Sequence, residues 1–191
     1  MGLLLATDPV PRAPEVPCPA CGARLPDTRG PTHRYMESSP GCWAAYGEVM
    51  ARAYLDPAFA EYYRLSVDAY AVQHPGRPSR PSIQSTGVHL IRLHLLLERG
   101  LGMAEANNAA LGAGSTKHTF CWLEPPPSVG ALTVADVART GTVDEFRDSI
   151  AAWAESAWAA WAPHHATIAA WAADLPESLL RQTTSRAGQR R

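Results

Sequence analysis

The sequence contains no long apolar run and no excess of charge of either sign. Its apolar runs fall well short of the roughly 20 residues that a membrane-spanning helix requires. Lys and Arg together number 17 against 18 for Asp and Glu, and the formal net charge is −1. Because a broad nucleic-acid-binding surface needs a clear basic excess, we expect no nucleic-acid partner and no membrane association.

The sequence also lacks a recognisable targeting segment. The apolar stretch at residues 2–6 is short and has no basic flank, unlike a secretory signal peptide. We therefore expect a cytoplasmic protein, in which cysteines stay reduced and bind metals more readily than they form disulfides. The chain has only four of them, which are Cys18, Cys21, Cys42 and Cys121.

Length and composition predict one globular unit with short additions at its ends. The 191 residues are 46% hydrophobic and 18% charged, a balance typical of a folded domain. The proline-rich residues 1–17 are expected to form a flexible arm, and the polar residues 181–191 a disordered tail. Between them we predict a zinc knuckle over 18–42 and a helical bundle over 43–180.

Helical signals begin at Cys42 and continue almost to the end of the chain. Apolar residues recur at spacings of three and four, and proline or glycine interrupts the pattern. Ser82 is expected to cap the third helix, Thr142 and Glu145 have the spacing of a capping box, and Pro163 should break the last helix. The fold class is therefore all-α, a four- to five-helix bundle with an N-terminal Cys/His zinc knuckle. The predicted helices cover 43–55, 57–73, 83–99, 103–111, 133–140 and 142–175.

Large apolar side chains concentrate in the last predicted helix. We expect the tryptophans of this helix to belong to the hydrophobic core. The alternative is that they form an aromatic wall around a ligand. Cys121 lies between Phe120 and Trp122, so we expect a buried apolar thiol there and not a metal ligand. The tryptophans assigned to the core are Trp153, Trp158, Trp161 and Trp171.

The segment from Cys18 to Gly22 has the Cys-x-x-Cys spacing of half a zinc site. Two intervening residues let both sulfur atoms reach one ion, and the glycine lets the chain turn beneath it. Cys42 is the natural third ligand, and His33 is the nearest histidine that could be the fourth. The alternative is a redox-active thiol pair, but such a pair usually lies between a strand and a helix, and the sequence predicts no strand there.

A second candidate site consists of polar residues from three predicted helices. Helical bundles build open metal sites from inward-pointing side chains, with water in the remaining position. Such a site would perform metal-assisted hydrolysis or proton transfer on a small molecule, with the aspartate orienting an imidazole. Its members would be Asp68, His74, His89, His164 and His165.

Three members of this second site also have an ordinary structural explanation. Asp68 could pair with Arg64 four residues earlier, His74 could cap the end of a helix, and His89 could be a hydrogen-bonded core residue. If these explanations hold, the alternative function is a non-catalytic binding or regulatory module whose zinc ion is purely structural.

These residues lie in strings that resemble an uncharacterised bacterial family. The resemblance covers about residues 18–172. It supports a site at His33, Asp68, His74 and His89 in preference to His94 and His118, and it implies no particular substrate. The strings are Cys18–Gly22, Gly30–Met36, Ser38–Trp43, Val67–Gly76, Val88–Leu90 and His164–His165.

Overall fold

The computed structural model describes residues 13–55, 57, 59 and 62–175. The flexible arm predicted over 1–17 is therefore described only from residue 13 onward, and its last residues form a strand. The disordered tail predicted over 181–191 lies outside the described residues.

A short β-hairpin opens the described part of the chain. Strands β1 (Glu15–Pro17) and β2 (Arg24–Pro26) pair in antiparallel fashion. Gly22 has a φ of +73°, which lets the connecting turn adopt the left-handed conformation. The sequence predicts only turns in this region, because strands of three residues are too short to show an alternating pattern.

The remainder of the described chain is mainly helical, which confirms the predicted class. It contains seven α-helices, whereas the sequence predicted six helical ranges, the last of them broken at Pro163. The longest has 18 residues, and no helix of the described residues is both long and apolar enough to cross a membrane. The helices are α1 (Pro40–Leu55), α2 (Tyr63–Gln73), α3 (Arg80–Leu93), α4 (Met103–Thr116), α5 (Val134–Ala138), α6 (Val143–Ala160) and α7 (His165–Ala173).

The helix caps follow the sequence signals closely. The Thr142 hydroxyl accepts from the amide of Glu145, and the Glu145 carboxylate accepts from the amide of Thr142, which confirms the capping box. The third helix is capped by Ser79 instead of Ser82, because Pro81 is compatible with the first turn and the helix begins earlier than predicted.

Several other boundaries differ from the prediction, whereas the proline break is confirmed. Helix α2 begins at Tyr63 and not at Pro57, and α4 runs five residues beyond its predicted end at 111. Pro163 lies in a 3-10 turn, Ala162–His164, that separates α6 from α7. Without an amide hydrogen, Pro163 cannot continue the hydrogen-bond ladder of α6.

Helix α2 packs against both α3 and α6, and its last residues are tied to the core by polar contacts. The Gln73 amide nitrogen donates to the carbonyls of Val129 and Leu132, and its oxygen accepts from the Trp153 indole at 2.8 Å. The Trp161 indole donates to the carbonyl of Val72. These contacts hold the end of α2 in a defined position.

The predicted core role of the four tryptophans is confirmed, since all are buried. The prediction that Cys121 is a buried thiol is wrong, because its side chain is exposed. It follows α4 and the 3-10 turn Lys117–Thr119 in an irregular segment, where the apolar neighbours in sequence do not share its environment. Phe120 is buried beside it and packs against Trp171.

The close approach of Phe120 to α3 generates a prediction about Gly87. A Cβ at Gly87 would lie 2.5 Å from the Phe120 ring, whereas one at Gly47 in α1 would meet nothing within 4 Å. We expect Gly87→Ala to lower the free energy of unfolding by about 1–3 kcal/mol, because the added Cβ would displace the Phe120 ring from its packing against Trp171. Gly47→Ala should raise it by up to about 1 kcal/mol through helix propensity. Urea denaturation of both variants checks the contrast, and equal effects would contradict it.

Candidate metal centre

Four potential metal ligands converge from three parts of the chain. Cys18 and Cys21 come from the β1–β2 turn, Cys42 from the first turn of α1, and His74 from the residue that caps the end of α2. Their ligand atoms all lie within 4.8 Å of one another. All four side chains are buried, with exposed fractions of 9% or less.

The distances match those expected around one tetrahedral ion. Bonds of about 2.3 Å to sulfur and 2.0 Å to nitrogen imply edges of roughly 3.8 Å between sulfurs and 3.5 Å between sulfur and nitrogen. The Sγ atoms of Cys21 and Cys42 are 3.8 Å apart. His74 Nε2 lies 3.6 Å from Cys18 Sγ and 3.4 Å from Cys42 Sγ. Three of the six distances between ligand atoms thus match a tetrahedral ion, and the other three are no longer than 4.8 Å.

The hairpin turn presents its two sulfurs through backbone hydrogen bonds. The amide of Gly22 donates to the carbonyl of Cys18, and the amide of Cys18 donates to the carbonyl of Ala23, both at 2.9 Å. Gly41 allows the start of α1 to approach this hairpin, because a Cβ there would collide with the carbonyl oxygen of Pro26. Cys42 is thereby brought to the turn.

The helical ligands are held by contacts of their own. The Cys42 amide donates to the Ser39 hydroxyl, and the Tyr70 hydroxyl donates to Cys42 Sγ at 3.7 Å. His74 Nδ1 donates to the carbonyl of Tyr70 at 2.7 Å, so the lone pair of the neutral ring is on Nε2 and faces the sulfurs. The His74 and Tyr70 rings also stack with centroids 4.0 Å apart.

Burial and mutual hydrogen bonds shift the pKa values of Cys18, Cys42 and His74 in different directions. Hydrogen bonds from Cys21 and Cys42 lower the pKa of Cys18, whereas those with Cys18 and Cys21, together with burial, raise the pKa of Cys42. Burial lowers the pKa of His74, but its hydrogen bonds to Cys18 and Cys21 outweigh this and raise that pKa to about 9. A divalent cation would replace the shared protons and compensate the buried thiolates.

The structure places His74, not His33, beside the three thiols. His33 packs edge-on against Tyr35, with ring centroids 4.4 Å apart, and 5.2 Å from the Trp43 ring. Burial lowers the pKa of His33. The prediction of His33 as fourth ligand relied on closeness in sequence, whereas the packing of α2 brings a more distant histidine to the thiols. The usable signal was the position of His74 at a helix end just before Pro75.

Of the second predicted site, the structure brings together Asp68 and His89. His89 Nδ1 donates to Asp68 Oδ1 at 2.8 Å, and Arg92 Nε donates to Asp68 Oδ2 at 2.9 Å. Asp68 is only 1% exposed and Arg92 only 5%. The alternative pairing with Arg64 is not formed, since the Arg64 guanidinium lies over the Tyr63 ring.

The other histidines of that site have different neighbours. His164 Nε2 is 2.8 Å from the carbonyl of Glu124, and His165 Nε2 is 3.1 Å from the carbonyl of Trp158. The His165 ring stacks on that of Trp158 at 3.8 Å. Across the described residues, the Cys3His cluster is the only group of three or more His, Cys, Asp or Glu ligands within reach of one ion. The five predicted residues therefore do not form a second metal site in this part of the chain.

The buried Asp68–Arg92 pair generates a prediction about stability. Asp68→Asn would leave the Arg92 guanidinium buried without a counter-charge, and we expect the free energy of unfolding to fall by about 3–5 kcal/mol. Asp148→Asn is the matched control, since Asp148 forms an exposed pair with Arg147. It should leave the denaturation midpoint almost unchanged. Chemical denaturation measures both, and a similar loss in the two variants would contradict a special role for the buried pair.

The comparisons with known proteins agree with the resemblance seen in the sequence. No curated protein and no solved structure matches the chain. The model of a family of unknown function, DUF5946, matches residues 16–162, which is more than half of the chain and includes all four clustered ligands together with Asp68 and His89. The chain therefore belongs to the DUF5946 family.

Proposed function

We propose that this protein binds one structural zinc ion through Cys18, Cys21, Cys42 and His74, and that the ion stabilises its helical fold. The observation that carries this proposal is the burial of three sulfurs and one imidazole nitrogen within 4.8 Å of one another. Sulfur and imidazole ligands in tetrahedral spacing are typical of zinc, and Cys3His is a common structural set.

The ligand set favours a structural ion over a catalytic one. A catalytic zinc keeps one position for water or substrate, whereas four protein ligands complete a tetrahedral shell. The side chains around the cluster also exclude solvent, since Cys42 and His74 are fully buried. We therefore favour the non-catalytic alternative for the ion over metal-assisted hydrolysis.

Zinc binding would have a direct mechanical consequence, because the ligands join the hairpin to α1 and α2. Two strands of three residues are too short to be stable alone in water. Zinc bound at such sites contributes roughly 10–16 kcal/mol in apparent terms in small peptides. We infer that the ion holds the hairpin on the helices, and that the unpaired thiols suit a reducing compartment such as the cytoplasm.

The proposal can be tested by zinc stoichiometry. Elemental analysis of the purified protein should find one zinc per chain, and Cys18→Ser or His74→Ala should remove it because each deletes a ligand. His33→Ala and Cys121→Ser are the matched controls and should retain one zinc. Zinc loss in His33→Ala but not in His74→Ala would overturn the ligand set, and a metal-free wild-type protein would overturn the proposal.

The stabilising role of the ion can be tested by thermal unfolding. Removing the ion with a strong chelator under reducing conditions should lower the melting temperature by more than about 10 °C, because several kcal/mol of binding free energy are lost. Re-addition of zinc should restore it. Circular dichroism measures the transition, and the Cys18→Ser protein should show no response to the chelator. Unchanged melting of the wild-type protein after verified zinc removal would contradict a stabilising role.

A further inference from the structure

A cavity of about 380 Å³ lies beside α3, away from the cysteine cluster. Tyr35 forms one wall, and α3 contributes Arg80, Gln84, Ser85 and His89. The carbonyl of Tyr35 accepts from the Ser82 hydroxyl at 3.2 Å, which fixes this wall against the helix. The cavity is therefore bounded by anchored elements and is large enough for a small molecule.

His89 reaches this cavity from a fully bonded polar network. Its Nδ1 is committed to Asp68, whose second oxygen accepts from Arg92, and Arg92 also donates to Asn107 Oδ1 at 2.7 Å. The His89 side chain is 19% exposed, and Nε2 has no hydrogen-bond partner among the described residues. One nitrogen is thus anchored in the interior, while the other is left for a ligand.

The charged side chain that lines the cavity is Arg80, which lies there with the His89 imidazole, and none of the lining side chains is a carboxylate. A neighbouring cavity of about 260 Å³ also borders Tyr35 and is lined by Arg34, Arg77 and Glu37, with Arg77 3.7 Å from Glu37. This distribution complements a ligand of negative charge.

We propose that the cavity binds the oxyanion group of a small molecule, a phosphate or a carboxylate, and that His89 Nε2 exchanges a proton with it. Arg80 supplies the complementary charge. Asp68 acts as a positioning residue, because it touches only the far side of the His89 ring and holds the proton on Nδ1.

The proton transfer balances within the site. With a phosphate that carries a P–O–H group, Nε2 accepts that proton, and the bonding electron pair stays on the phosphate oxygen. A carboxylate has no O–H at neutral pH, so with that ligand the proton moves from the Nε2–H of an imidazolium to a carboxylate oxygen. In both cases the imidazolium is stabilised by the Asp68 carboxylate, which Arg92 keeps oriented. The reverse step returns the same proton, so no further reactant is required.

The first test reads the tautomer of His89. Nitrogen NMR of the folded, zinc-loaded protein should show the neutral ring protonated on Nδ1, because a carboxylate can only accept at that position. In Asp68→Leu/Arg92→Met, which removes both buried charges together, this preference should be lost. A wild-type ring protonated on Nε2 would overturn the proposal, even if the double variant failed to fold.

The second test uses inorganic phosphate and acetate as probes. At least one should shift the His89 ring signals saturably, and which of them does so distinguishes the phosphate from the carboxylate. Arg80→Gln should weaken that binding by about tenfold, because a charge-assisted contact is lost. Arg139→Gln is the matched control, since Arg139 is an exposed arginine outside the cavity. No saturable shift, or equal weakening by both variants, would overturn the proposal.

His89→Asn separates the proton-exchanging role from a structural one. The asparagine amide can still donate to Asp68, so the melting temperature of the variant should be near that of the wild type. Phosphate or acetate bound to this variant should no longer exchange a proton with residue 89. Arg80→Gln and His89→Asn should both retain one zinc per chain. Failure of the anion experiments with zinc still bound would reject this site alone, whereas a metal-free wild type would reject the structural zinc alone.

Discussion

The shared position of three sulfur atoms and one imidazole nitrogen is the constraint on which the N-terminal half depends. These atoms belong to a hairpin, the start of α1 and the end of α2, and each is placed by its own backbone contacts. His74 directly follows Gln73, whose amide is bonded to the loop before α5 and to Trp153 of α6. The cluster and the apolar core are thus joined through Gln73 and His74. A substitution that displaces the cluster should therefore also disturb the packing of the core.

Helix α2 organises the polar interior of the protein. Its last residues meet the thiol cluster, and Asp68, in the middle of the helix, meets His89 and Arg92 of α3. Buried polar groups are tolerated where their hydrogen bonds are made inside the protein, and Asp68 and Gln73 meet that condition. The apolar side of the same helix packs against α6, whose tryptophans fill the core. One helix therefore positions both the potential metal ligand His74 and the aspartate beneath the cavity.

Much of the helical architecture could be predicted because its signals are local. The capping box at Thr142 and the break at Pro163 each depend on residues within a few turns. The tryptophans were assigned to the core because their side chains are large and apolar. The hairpin was missed because strands of three residues carry no periodicity, and Ser79 was missed because Ser82 offers the same cap chemistry three residues later. Cys121 shows that apolar neighbours in sequence do not ensure burial in an irregular segment.

For the candidate sites, the kinds of ligand can be identified in the sequence: thiols at Cys-x-x-Cys spacing, a third cysteine at a helix start, and an aspartate and histidines on separate helices. Which of these groups meet depends on how the helices pack. The packing of α2 places His74 beside the thiols, whereas His33 lies among aromatic rings. The same packing pairs Asp68 with Arg92 of α3 instead of Arg64. The physical reason is that separation along a chain does not measure separation in space once helices pack. The identity of a residue decides which donor atom it can offer, whereas the packed fold decides which residues share one site.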